Sequence, residues 1–323
     1  MANRKFKILF FIFCFLAFLG CNHQEKESAK ISPNQNKIVV DESLQPIFDE
    51  ELYIFNALYN DPHAKKDVRE KFEDDVHPIS GINSTIIYAP ENNALRLFLE
   101  DSTRVAILAR DLTPQEYQFL KARNSRPEIS RFAIDAITLI VNNASSDTTI
   151  TLSQIVEMLQ GKVKTNKALV FDNPNSGLVR YLQQLSGNKD LKQSNIYSLK
   201  SNKEVIKYVA SHSNAIGIVG FSWLNDPDKD MIDFVNKVKI VAVSDDVSKN
   251  SDKKYYTPSQ NSLALKQYPL TRNLYILYNT SKLGVEFSSF LRSDRGQRII
   301  LKSGLLPDNI PNRRISIQKK INF

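Results

Sequence analysis

From Lys37 onward, short runs of β-branched and apolar residues alternate with stretches whose apolar positions recur three and four apart. Such a chain can bury its apolar surface only by laying helices on a sheet, so the sequence predicts an α/β architecture. Lys37 to Val40 is a β-branched run. Leu44, Ile47, Phe48, Leu52 and Phe55 follow at helical spacing, with Ser43 placed as the N-cap and Pro46 in the first turn. Val68 and Phe72 suggest a further helix in the charged stretch 60–80. Val105 to Ala109 reads as a strand. Thr113-Pro114-Gln115-Glu116 is a capping box with proline at the first helical position. Ala133 to Val141 is a long apolar run that predicts a buried strand. Leu152, Ile155, Val156 and Leu159 predict a helix stopped by Gly161. The strand Ala168 to Phe171 leads through Ser176 into a helix carrying Val179, Leu182 and Leu185. Ala215 to Phe221 and Leu274 to Tyr278 read as strands, and Tyr255 to Leu270 as loop and turn. Two closing helices cover roughly Leu283 to Leu301, and Gly304 ends the second.

The 42% apolar and 24% charged residues exclude a disordered chain, a collagen and a multi-span membrane protein. The net charge of +8 is spread along the chain, with no basic block. It implies a solvated surface with a mild attraction for anions. No basic stripe with interleaved aromatics points to nucleic acid. The motifs G-x-S-x-G, H-E-x-x-H, C-x-x-C and the P-loop are missing from the sequence. His23, His63, His77 and His212 are scattered, which argues against a metal site, and no cofactor is implied.

The N-terminus reads as an address. Arg4, Lys5 and Lys7 precede the twelve-residue apolar run Ile8 to Leu19, too short to span a bilayer comfortably and suited to a secretory signal. Phe18-Leu19-Gly20-Cys21 resembles the lipobox of bacterial lipoproteins, although Phe18 and Leu19 are bulkier than its usual residues. That resemblance implies removal of residues 1–20, lipid on Cys21 and a place in the cell envelope, anchored to the membrane on its periplasmic or cell-surface side. The chain's two cysteines, Cys14 and Cys21, both lie in this region, so the folded body has no disulfide framework. Residues 21–36 are mostly polar and read as a flexible tether; a coil of this length spans roughly 20 Å.

Candidate binding residues gather at strand-to-helix turns. Ser43 and Ser176 stand at predicted helix starts, where free backbone N–H groups and the positive dipole end favour anions. Gly177 lets backbone approach a ligand closely. Arg110 follows a strand and precedes a capped helix, at the carboxyl edge where open α/β sheets place ligands. Each of these features has an ordinary structural reading by itself, and only their convergence suggests a site.

The body, from Lys37 to Ile317, resembles the PstS-type substrate-binding proteins of phosphate ABC transporters, which have the type II periplasmic-binding fold. The stretches that carry the likeness are AIDAITLIVNN (Ala133 to Asn143) with the helix ending at Gly161-Lys162, FDNPNSGLVRYL (Phe171 to Leu182), SNAIGIVGFSWL (Ser213 to Leu224), YPLTRNLYILYN (Tyr268 to Asn279) and FSSFLRSDRGQRIILKSGLLP (Phe287 to Pro307). The resemblance implies an α/β two-lobe fold joined by two crossing hinge strands. Lobe one would be 37–137 with 268–323, and lobe two 138–267. It also implies an anion in the cleft, closure of the lobes over it, and a transporter permease as partner.

Carried over by residue, Ser176 and Gly177 match the family's Ser-Gly pair, and Ser43 its hydroxyl at the first helix start. Arg110 falls near an acidic residue of the family, and Asp135 lies in a crossing strand. The threonine that follows the family's Ser-Gly pair is Leu178 here. The family's arginine ahead of that loop is replaced by Asp172 or its neighbours, and Arg180 or Arg110 could supply the charge. PENNALRLFLED (Pro90 to Asp101) replaces a second anion loop and reads as a helix. Asp111, Asp135 or Asp172 could accept a proton from phosphate. The resemblance implies no catalytic residue. A sensor or partner-presenting surface lipoprotein of the same fold is the alternative to transport of phosphate or a similar oxyanion; a hydrolase of anionic esters is opposed by the lack of a nucleophile–base pair.

Overall fold

The computed structural model describes residues 36–60, 84–163, 166–225 and 227–311. The signal segment, Cys21, nearly all of the tether, the helix suggested around Val68 and Phe72, and the residues after 311 lie outside the described residues.

The described chain starts with β1 (Lys37–Asp41), a 3-10 turn (Glu42–Leu44), α1 (Gln45–Asn60), β2 (Thr85–Ala89), α2 (Glu91–Leu99), β3 (Val105–Leu108), α3 (Pro114–Ala122) and β4 (Glu128–Asn142). It continues with β5 (Thr149–Thr151), α4 (Leu152–Leu159), β6 (Ala168–Phe171), α5 (Gly177–Ser186), β7 (Ile196–Ser198), α6 (Asn202–Ser211), β8 (Ala215–Gly220), α7 (Ser222–Asn225) and α8 (Ile232–Val235). It closes with β9 (Val238–Ile240), β10 (Ala242–Ser244), β11 (Tyr255–Tyr256), α9 (Gln260–Ala264), β12 (Thr271–Tyr278), α10 (Lys282–Arg292), α11 (Asp294–Lys302) and β13 (Leu306–Pro307).

The sheet is one mixed path in the order β2-β1-β3-β12-β4-β8-β6-β7. Its two halves share β4. The first part of that strand, Glu128 to Ala136, pairs antiparallel with β12, and its continuation, Ile137 to Val141, pairs with β8. The return crossing ends at Leu270, whose carbonyl accepts from Ile137 N, with Tyr268 Oη donating to the Ile137 carbonyl. This is a mixed α/β two-lobe fold with the chain crossing twice between lobes.

Alternate residues of each strand face opposite layers. Ile38 and Val40 join α1 and α10 residues such as Phe48 and Phe287, whereas Val39 packs with Ala94 and Phe98 of α2. In the second lobe Leu169 and Phe171 pack with Leu178 and Leu182 of α5, and Val170 with Val205 and Val209 of α6. Both faces of each half are therefore covered, which leaves ligands the strand ends and the crevice between lobes.

The predicted caps of α3 and α5 are present: Thr113 forms a capping box, and Ser176 Oγ accepts from Val179 N; Thr151 forms a further capping box at α4. Ser43 differs. Asp41 is the cap residue, its Oδ1 accepting from Ser43 N, and Ser43 sits inside the 3-10 turn. An aspartate directly ahead of a turn reaches the amide two residues on, which frees the Ser43 hydroxyl for another partner. The stretch 255–270, predicted as loop, contains β11 and α9; Ser259 caps α9 through Ser262. The two closing helices meet at Ser293, which ends α10 and caps α11. Among the described residues no helix is long and apolar enough to cross a membrane.

Candidate functional site

At the junction of the lobes lies a buried cluster of charge. Arg272 on β12 is 4% exposed and stands opposite Asp135 on β4 in the strand register. Its Nε and Nη2 donate to Asp135 Oδ2 at 2.9 and 2.8 Å, and Nη2 also reaches Ser43 Oγ at 2.9 Å. Among the described residues its Nη1 has no hydrogen-bond partner, and it lies 3.7 Å from Asp41 Oδ2, which has none either. Asp135 is fixed in turn by Ala136 N, which donates to its Oδ1 at 2.8 Å. Gly220, at the end of β8, permits this packing: a Cβ there would lie 2.9 Å from the Ser43 carbonyl oxygen. The same carbonyl accepts from Trp223 Nε1 at 3.0 Å.

Across the crevice, α5 presents its N-terminus. Ser176 Oγ caps the helix and donates to Asp172 Oδ1. Asn202 Nδ2 donates to Asp172 Oδ2 at 3.0 Å, and Asn202 Oδ1 accepts from Gly220 N at 3.2 Å. Gly177 has no space for a side chain, since a Cβ would meet Asp41 Oδ2 at 2.6 Å and Glu91 Oε1 at 2.9 Å. Two carboxylates thus stand where an anion at this helix start would stand.

Glu91 opens α2 and is fully buried. Its Oε1 accepts from Ala109 N at 3.0 Å and from Arg180 Nη2 at 3.2 Å, and its Oε2 pairs closely with Arg180 Nε. Arg180 Nη2 also lies 3.3 Å from the Ala109 carbonyl. Arg110 is turned toward Glu116, which it grips through two nitrogens at 2.7 and 2.8 Å; its Nε has no hydrogen-bond partner among the described residues and lies 3.9 Å from Glu91 Oε2. Asp111 serves the adjoining turn, accepting from Leu112 N and Tyr117 Oη.

The structure thus brings together Ser43, Asp135, Asp172, Ser176, Gly177 and Arg180 directly, and Arg110 at the margin. It adds Arg272, Asp41, Glu42, Glu91 and Asn202. His212 lies on the exposed end of α6, stacked on Tyr208. Among the described residues no group of three or more His, Cys, Asp and Glu is arranged to hold a metal ion.

The concentration of carboxylates shifts their protonation. Burial, and then repulsion from Glu91, raises Asp41 to about 6 against the pull of Arg272. Burial and the neighbouring Asp41 raise Glu42 to about 7, although Asn202 opposes this. Burial drives Asp172 well above the usual carboxylate range. Burial also opposes the charge on Arg272, but Asp135 and Asp41 together hold it protonated.

These raised values predict an unusual pH profile. A carboxyl whose folded pKa exceeds its unfolded one contributes stability fully present below the unfolded pKa and lost as pH rises through the folded pKa. For Glu42 that window runs from 4.5 to about 7. The melting temperature is expected to fall as pH rises from about 5 to 8, and Glu42→Gln to recover on the order of 2 kcal/mol at pH 8 but nothing at pH 4. Thermal unfolding at stepped pH measures this; a variant whose profile parallels the parent would show that Glu42 titrates normally.

Residues 61–295 match the protein family described as PBP superfamily domain. No curated protein sequence matches the chain with significance. Among solved structures, the fold is similar to that of a Clostridium perfringens protein assigned as a phosphate ABC transporter substrate-binding protein and crystallised with phosphate. The TM-score is 0.64 at 20% identity, over 84% of this chain and 99% of that one. It is also similar to an ABC-type phosphate transport receptor from Vibrio cholerae, with a TM-score of 0.55 at 18% identity, over 84% of this chain and 98% of that one.

Proposed function

Because this chain belongs to the PBP superfamily, we propose that it is a lipid-anchored solute-binding protein that captures phosphate between its lobes and delivers it to an ABC-type importer. The observation that carries the reading is the gathering of donors on either side of the α5 N-terminus at Gly177: the Ala109 amide and the Arg180 guanidinium at Glu91, and the Arg272 guanidinium beside Asp41. Backbone amides, a helix dipole and arginines are together the donor set that a small oxyanion requires. The fold shared with the phosphate-bound Clostridium perfringens protein supports the choice of ligand. The apolar run closed by Gly20-Cys21 supports the anchor.

The mechanism is binding and release. The anion contacts groups from both lobes only when they are together, so it shifts the population toward the closed state. A permease that distinguishes closed from open then receives loaded protein. Buried carboxyls beside the ligand share a proton with phosphate, which has one to give near neutral pH, whereas sulfate has none.

Calorimetric titration tests this. Phosphate is expected to bind and sulfate to bind at least tenfold more weakly. Ser176→Ala is expected to weaken phosphate about tenfold, because it removes the α5 cap and releases Asp172 from its hydroxyl partner. Equal affinity for both anions, or none for either, would remove the proposed specificity. Binding of neither anion would favour a surface protein of this fold that presents its shape to a partner, a second reading favoured by the carboxylates packed against Gly177.

A further inference from the structure

The surroundings of Glu91 are those of a bound ligand. Its carboxylate takes one backbone N–H, two nitrogens of Arg180 and a place against the α5 N-terminus, and Arg110 Nε, which has no hydrogen-bond partner among the described residues, lies 3.9 Å from it. Glu91 belongs to α2 of the first lobe, and Arg180 lies one turn into α5 of the second. Beside this pair, Asn92 N donates to the Asn175 carbonyl at 3.1 Å, a backbone bond between the same two segments. An acidic residue in the first turn of a helix ordinarily faces its own helix's amides. Glu91 instead reaches outward, to Ala109 and to a partner 89 positions away.

We infer that Glu91 is a tethered internal ligand: a side chain that fills the anion place, latches the lobes together in the empty protein and must be displaced before a free oxyanion can enter. The inference rests on the phosphate reading of the same cleft and adds its regulation.

A carboxylate fixed on a short helix competes as an intramolecular partner, with an effective concentration far above that of any solute. The external anion therefore binds with only the surplus over what Glu91 already gains. A phosphate carries more charge and more acceptor oxygens than one carboxylate, so it can still win the same donors. The latch lowers affinity, hastens release, and keeps the empty lobes closed.

Two variants separate a latch from a wall. Glu91→Gln keeps the shape and can still accept from Ala109 N, but it loses the charge that holds Arg180. Arg180→Gln breaks the same bridge and also removes a donor to the ligand. Two measurements on the full chain apply: calorimetric titration with inorganic phosphate, and amide hydrogen exchange over 90–93 and 173–177 in the ligand-free protein. Trp223 is the chain's one tryptophan, and its Nε1–H touches the Ser43 carbonyl, so its fluorescence reports opening a second way.

The expected result is crossed. Both variants exchange faster across the bridge when empty, yet Glu91→Gln binds phosphate tenfold or more tightly and Arg180→Gln binds it more weakly. A structural wall would move both affinities down. Weaker phosphate binding by Glu91→Gln, or unchanged exchange in either variant, overturns the inference. If neither parent nor variants bind phosphate, the phosphate reading fails, and exchange with Trp223 fluorescence still decides whether Glu91 latches the lobes.

Discussion

Arg272→Met is expected to cost about 3–5 kcal/mol of folding stability at pH 7, the range for removing one partner of a buried ion pair. The guanidinium is the counter-charge to Asp135 and Asp41, both fully buried, and its removal leaves two carboxylates facing each other across Ser43. Methionine fills much of the same volume, so the loss reports charge rather than a cavity. Two companion measurements make the cause visible. First, urea midpoints for Arg272→Met should rise on acidification, as Asp135 and Asp41 take protons and the repulsion ends. Second, Arg272→Met combined with Asp135→Leu should recover most of the loss, because both charges leave the interior together. A cost below about 1 kcal/mol, or no recovery in the double variant, would mean that water rather than Arg272 compensates these carboxylates.

The same residue shows where sequence reading stops. The lobes' cores were legible because their signals are local: Ile38, Val39 and Val40 are β-branched in sequence, and Thr113 and Ser176 announce their helices within four residues. Ser176-Gly177 was legible as a candidate for the same reason, a cap followed by a residue without a side chain. Arg272 and Asp135 are 137 positions apart and meet only through the register of β12 on β4. Half of their signal was present: Asp135 is a lone charge in the apolar run AIDAI, whereas Arg272 stands between Thr271 and Asn273 at the polar start of its strand. Asp135, in a strand predicted to be buried, must find a countercharge, but the strand read at Leu274 to Tyr278 begins after Arg272. Glu91 carried no comparable mark. At the start of a predicted helix a glutamate is ordinary, and its partner is supplied by a helix of the other lobe. Ser43 was expected as a cap and is instead a rung beneath Arg272, because Asp41 caps in its place.

Glu51→Leu is expected to stabilise the protein by about 2 kcal/mol at pH 7, the order for burying an apolar side chain, with an added gain that shrinks toward acid. Glu51 falls on the inner stripe of α1, one turn from Ile47, Phe48 and Phe55, where every other position is apolar. It is fully buried, and neither carboxylate oxygen has a hydrogen-bond partner among the described residues. Its neighbour Glu50 points the other way and pairs with Lys302 at 3.0 Å near the surface. Burial, reinforced by the charge of Glu50, drives the Glu51 carboxyl well above its ordinary value of 4.5. The native state therefore holds the Glu51 proton to higher pH than the unfolded chain does. Stability from this group is whole below pH 4.5 and is lost as pH rises through the folded pKa. Ionisation of the unfolded chain above pH 4.5 therefore works against the folded state, and leucine abolishes that loss while completing the apolar stripe. Urea unfolding at pH 4 and pH 7 gives the comparison. Equal gains at the two pH values would assign the effect to hydrophobic burial alone, and a loss at pH 7 would mean that Glu51 holds a partner worth more than its charge costs. The slope adds to that of the cleft carboxyls and has the same sign, so Glu51→Leu and Glu42→Gln together should flatten the rise in stability toward acid more than either does alone.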